Sequence, residues 1–133
     1  MRVMIIGKAT AQSEAGELGN PEDFVAMDKF NQELTEAGIV MVAGDGLQPS
    51  SKGKRVAFDA DGGATVIDGP FAETKEVIAG YSIWEVSSIE EAVEWVKRSP
   101  LRGSEVEIRK ILDADDFSDS LAAEIAAAEE RAR

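Results

Sequence analysis

Apolar residues fall in two rhythms along this chain, one of period two and one of helical spacing, and together they predict its elements. Arg2 to Lys8 reads as a strand with Met4 and Ile6 on one face and Val3 and Ile5 on the other, so both faces are apolar. Ile39 to Ala43 and Val77 to Val86 have the same two-sided character. Glu105 to Leu112 alternates instead, with Val106, Ile108 and Leu112 opposite Glu105, Glu107 and Arg109, as an edge strand with one wet face would. Arg55 to Asp59 and Ala64 to Ile67 flank Asp61-Gly62-Gly63 and predict a hairpin.

The helical spacing occurs twice with clear ends. Asn20 offers an N-cap, Pro21 suits the first helical position, and Glu22 and Asp23 favour the positive end of the dipole. Phe24, Met27, Phe30, Leu34 and Ala37 form the apolar stripe of that helix, and Gly38 ends it. Ser88-Ile89-Glu90-Glu91 is a capping box, followed by Ile89, Ala92, Val93 and Val96 on one stripe, Lys97 and Arg98 in the last turn, and Pro100 beyond. Ala9 to Asn20 is small and polar and reads as a loop, and Gly44-Asp45-Gly46 is expected to break the second strand. The tail from Asp113 is rich in Ala and Glu and is expected to be helical from Asp119, with Leu121 and Ile125 as its anchors.

With the hairpin set aside, the order is strand, helix, strand, strand, helix, strand. That pattern predicts an α+β, ferredoxin-like βαββαβ antiparallel sheet in residues 1–112, with an inserted β-hairpin and an acidic helical extension over 113–133. Two helices dry one face of such a sheet, yet three strands are apolar on both. A second copy is the simplest cover, so a homodimer is expected. The rival is a monomer whose hairpin and tail fold over that face.

Charge and composition narrow the partners. The 133 residues carry 26 Asp and Glu against 14 Lys and Arg, a formal charge of −12 that repels phosphate backbones and anionic lipid. Nucleic acid and membrane partners are therefore not expected. The absence of histidine and cysteine removes imidazole acid–base work, thiolate catalysis, disulfides and the usual zinc ligand sets. Val3-Met4-Ile5-Ile6 is too short for a signal peptide or membrane span, and a soluble, cytoplasmic protein is expected. Asp59 and Asp61 lack a twelve-residue calcium loop, and Ser50-Ser51-Lys52-Gly53-Lys54-Arg55 lacks the frame of a phosphate loop and reads as solvated. No metal and no cofactor is implied.

Candidate chemistry concentrates in Asp68-Gly69-Pro70-Phe71-Ala72-Glu73-Thr74-Lys75-Glu76, a turn with an apolar anchor and four ionisable side chains. Asp68 and Lys75 are candidates for base and oxyanion partner, as is Asp45 between its two glycines. Lys8, Leu47, Phe71, Glu73 and Tyr81 are the candidate substrate contacts. Each has a plainer reading as well: a turn Asp, an exposed salt-bridged loop, a strand-end lysine, a core tyrosine.

Lys8-Ala9-Thr10, Ala43 to Gly53, Asp68 to Glu76 and Ala79-Gly80-Tyr81 closely resemble the DGPF-type proteins of the YCII-related family, with weaker similarity in Glu94-Trp95-Val96-Lys97-Arg98, Glu107-Ile108-Arg109, Asp115-Asp116-Phe117 and Glu129-Glu130-Arg131. The resemblance implies a dimeric α+β barrel and a bacterial protein, in a family frequently associated in genomes with extracytoplasmic-function sigma factors. Related YCII-like proteins are thought to use a His and Asp pair for lyase or dehydrohalogenase-like chemistry, and this chain has no histidine to carry that pair. Three functions remain open: a small-molecule enzyme of lyase or isomerase type using Asp68 or Asp45 as base, a module binding an anionic or carbonyl compound beside Asp68 to Glu76 without turnover, and a non-enzymatic partner of a sigma factor contacting it through the C-terminal helix.

Overall fold

The computed structural model describes residues 1–73 and 76–133. In chain order the elements are β1 (Arg2–Lys8), α1 (Ala11–Glu14), α2 (Pro21–Glu36), β2 (Val40–Gly46), β3 (Lys54–Phe58), β4 (Ala64–Asp68), β5 (Ile78–Glu85), α3 (Ile89–Lys97), β6 (Val106–Lys110) and α4 (Asp119–Arg131). Strands β2, β5, β1 and β6 lie side by side in that order, all antiparallel, and β3 pairs with β4 as a separate hairpin. This is the ferredoxin-like α+β fold, with the hairpin inserted between the second and third strands of the sheet.

The ends of α2 form from the residues that predict them. Asn20 Oδ1 accepts the Asp23 N–H at 2.9 Å, and Asp23 reaches back to the Asn20 N–H. At the other end Gly38 takes φ +84°, so that the Ile39 N–H reaches the Leu34 carbonyl and the Gly38 N–H that of Thr35. In α3 Ser88 Oγ accepts the Glu91 N–H, while the Glu91 carboxylate accepts from Ser87, one residue upstream of the reciprocal partner.

Pairing register sorts the sheet into two faces. Val3, Ile5 and Trp84 face the helices and join Phe30, Leu34 and Ala92 in the buried core, where the Phe30 ring lies 6.3 Å from Trp84 and 6.4 Å from Trp95. Val106 and Ile108 pack against that cluster from the edge strand. The alternate positions, Met4, Ile6, Ile83, Ala43 and Val40, lie on the helix-free face. Both faces of the inner strands are apolar, as their patterning requires.

Several expectations are corrected. Gly44-Asp45-Gly46 does not break the strand, because β2 runs through it with Gly44 opposite Ser82 and Gly46 opposite Gly80, where small residues let the two strands approach. Residues 9–20 are not all loop: Thr10 and Ser13 cap each other and open the short α1. Phe24 lies on the predicted stripe yet is 75% exposed, and Leu112 lies past the end of β6 at 63%. Leu121 is likewise exposed, and Ile125 is half-buried. The hairpin keeps Val56, Phe58 and Val66 exposed, so it does not cover the helix-free face of its own sheet. Among the described residues no helix is long and apolar enough to cross a membrane.

Candidate functional site

Side chains on the helix-facing side of the sheet shrink from one end to the other. Val3, Trp84 and Met41 form one row across β1, β5 and β2; Ile5, Ser82 and Gly44 form the next; Gly7, Gly80 and Gly46 form the third. A Cβ on Gly46 would meet nothing within 4 Å, and one on Gly7 only the Gly80 carbonyl at 3.7 Å. Backbone therefore floors this end of the sheet. Above it, between α2 and the segment after α3, lies a cleft of about 540 Å³. Phe24, Met27, Phe30, Val96 and Leu101 supply its apolar walls, while Asn31, Ser82 and Ser99 supply polar groups. Trp84 also lines it, 3% exposed, and its buried indole Nε1 has no hydrogen-bond partner among the described residues.

The opposite face of the same end carries a polar row. Glu107, Ile6, Tyr81 and Asp45 stand in register across β6, β1, β5 and β2. The Tyr81 hydroxyl donates to Asp45 Oδ2 at 3.4 Å, and Lys8, its side chain 12% exposed, pairs with Glu107 at 3.2 Å. Hydrogen bonds from Arg109 and then Lys8 hold the Glu107 carboxyl below its ordinary value.

The loop after β4 is built around Ser50. Gly69 is required there, since a Cβ would overlap the Ser50 carbonyl oxygen, and the Gly69–Pro70 peptide is cis. Buried Ser50 accepts the Phe71 N–H on Oγ at 3.1 Å, donates that hydroxyl to Glu14, and donates its own N–H to the same carboxylate at 2.8 Å. Those bonds from Ser50 hold the Glu14 carboxyl below its ordinary value. The Arg55 guanidinium sits 3.8 Å over the Phe71 ring. A shallower cleft of 440 Å³ opens beside this cluster, lined by Leu47, Lys52, Arg55, Phe71 and Glu76.

Residues 1–115 match the family model described as the YCII-related domain. The chain belongs to the YCII-related family. No curated protein is significantly similar to it. Among solved structures it is similar to 5-chloro-2-hydroxyhydroquinone dehydrochlorinase from Burkholderia phenoliruptrix AC1100 in complex with 2,5-dihydroxybenzoquinone, at 14% identity and a TM-score of 0.47, covering 89% of this chain and 100% of that one.

In this YCII-related chain the candidate residues do not converge on one site. Lys8, Tyr81 and Asp45 share the helix-free face, whereas Leu47 and Phe71 line the cleft beside the loop. Asp68 is not buried: its side chain is 75% exposed and pairs with Lys54 at 2.5 Å across the base of the hairpin. Glu73 is exposed, and Lys75 lies outside the described residues. The segment 50–55 is not simply solvated either, since Ser50 is buried and Arg55 stacks. The glycine row, Trp84 Nε1 and the Glu14–Ser50 pair were not anticipated. A strand glycine does signal close approach of backbone or ligand, and Gly7, Gly46 and Gly80 carry that signal singly; nothing local links Glu14 to a serine 36 positions away. Among the described residues no group of three or more acidic side chains is placed to hold a metal ion.

Proposed function

We propose that this YCII-related protein binds a small, largely apolar molecule in the cleft between its sheet and its helices. The observation that carries this reading is the glycine row. Three adjacent strands withhold side chains at one level, directly beneath apolar walls, and a 540 Å³ space of that kind is within the usual range for small-molecule sites. The loop beside Phe71 is a weaker candidate because its cleft is shallow and its ionisable groups among the described residues are exposed or already paired. Asp45 and Tyr81 also border this cleft, but they alternate with Gly44, Gly46, Gly80 and Ser82 along their strands, which directs their side chains to the other face, and no proton-transfer role is assigned to Asp45. The sigma-factor partnership implied by resemblance has no counterpart in the comparisons.

The test is a thermal-shift screen of uncharged and singly charged aromatic and acyl compounds against the wild type and Gly46→Val. Stabilisation by a hit that disappears in the variant supports the cleft. A hit that binds both equally places the site elsewhere.

For the helix-free face we propose a second copy of the chain as cover, on the observation that Met4, Ile83, Ala43 and Val40 lie on the side of the sheet away from Phe30, Leu34 and Ala92, with Val40 58% exposed. Light scattering should give about twice 14.2 kDa, and Ile83→Asp should return it to one chain mass or render the protein insoluble. A wild-type monomer would refute this.

A further inference from the structure

The geometry of the cleft points to a narrower class of ligand: we infer a planar ring system bearing a hydrogen-bond acceptor, a ketone carbonyl being the simplest, that takes the Trp84 indole N–H. This rests on the cleft being the binding site and specifies what it selects.

Two independent features carry the inference. The first is shape. The floor at Gly7, Gly80 and Gly46 is peptide backbone without side chains, and Phe24 borders the same cleft while keeping 75% of its surface exposed. A flat ring laid on the peptide planes and against Phe24 removes apolar surface from water on both its sides. The second is chemistry. A buried indole N–H normally has a partner, and leaving one without is costly. Trp84 Nε1 has none among the described residues and is buried away from the surface. Met27 and Met41 line the same cleft as Trp84, and their unbranched thioethers repack more readily than a branched or aromatic side chain. An acceptor that displaces one of them reaches the N–H and supplies the missing hydrogen bond. Binding energy and specificity then come from one atom of the ligand.

The experiment uses the full chain labelled with ¹⁵N, in which Trp84 and Trp95 give the two indole N–H signals. The probes are 2-acetonaphthone and its olefin isostere 2-isopropenylnaphthalene, which has the same shape without the acceptor. The expected result is that the ketone binds about tenfold tighter than the olefin, and that only the ketone moves the Trp84 indole signal downfield. Trp84→Phe should bring the ketone down to the affinity of the olefin and leave the olefin unchanged. Equal affinities with a stationary Trp84 signal overturn the acceptor inference while the cleft reading stands. Failure of both probes to bind, or binding that survives Gly46→Val, overturns the inference together with the cleft reading. The wild-type titration decides between these outcomes even where Trp84→Phe folds poorly.

Discussion

Alanine in place of each glycine of the row should give opposite signs at neighbouring positions. At Gly46 the new Cβ meets nothing within 4 Å, and its φ is not positive, so the folded chain accommodates it without strain. The unfolded chain loses freedom, and stability should rise by about 0.5–1 kcal/mol. At Gly80 the same Cβ would lie 3.2 Å from the Asp45 carbonyl oxygen and 3.4 Å from Gly46 Cα, both main-chain atoms of the adjoining strand. Strands β2 and β5 must part by a few tenths of an ångström along a ladder the core depends on. Overpacking of that kind costs about 1–3 kcal/mol, which outweighs the unfolded-state gain. Gly7→Ala, with an ordinary 3.7 Å contact, should behave like Gly46→Ala. Urea unfolding at one fixed protein concentration measures this, since a self-associating chain has a concentration-dependent midpoint. For slopes of roughly 1–2 kcal/mol per molar, the Gly46 and Gly80 variants should differ by about 0.5–3 M in midpoint. A Gly80→Ala midpoint equal to or above that of Gly46→Ala would refute the close-approach account of this row. Gly46→Ala should also weaken any ligand of the cleft, which separates stability from binding in one protein.

Leu34→Ala removes a side chain that is 1% exposed and should cost about 2–5 kcal/mol by the same assay, whereas Leu121→Ala, 48% exposed, should stay within about 0.5 kcal/mol. Phe71→Ala should cost about 1–2 kcal/mol, less than a core ring, because Phe71 is half-buried and held partly by Arg55 and by its own backbone; a loss as large as that of Leu34→Ala would mean the loop is a core element. Lys54→Met should change stability by no more than about 0.5 kcal/mol, since the pair with Asp68 is exposed. Glu14 has a folded pKa below its unfolded value, so its stabilisation is complete above the ordinary carboxylate value and is lost as pH falls through the folded pKa. Wild type should therefore lose more stability than Glu14→Gln over that acid range, and parallel pH profiles would count against the Ser50 clasp.

The sheet and the two helices that cover it, α2 and α3, are legible because their signals are local. A strand needing cover on two faces announces itself through Val3-Met4-Ile5-Ile6, and Asn20-Pro21 with Gly38 brackets a helix by satisfying its own terminal groups. What was illegible depends on residues distant in the chain. Phe24 has the phase of a core residue, but where it points the sheet offers glycine, so the stripe continues with nothing beneath it. Gly44-Asp45-Gly46 looks like a break until Ser82 and Gly80 stand opposite. Asp68 reads as a candidate base from its loop alone, whereas its partner Lys54 stands fourteen residues earlier on the other strand of the hairpin. The carbonyl of Ser50 explains Gly69 better than turn chemistry alone does.

The hairpin has a colloidal consequence. Strands β3 and β4 pair only with each other, so each offers an unpaired main-chain edge, and Val56, Phe58 and Val66 leave an apolar surface beside those edges. What keeps copies from stacking through them is the charge of −12, a repulsion that acts over about 8 Å at physiological salt and about 3 Å at 1 M. Near the isoelectric point of about 4.4 that protection vanishes. Precipitation near that pH therefore reports on strand edges and lost charge before it reports on unfolding.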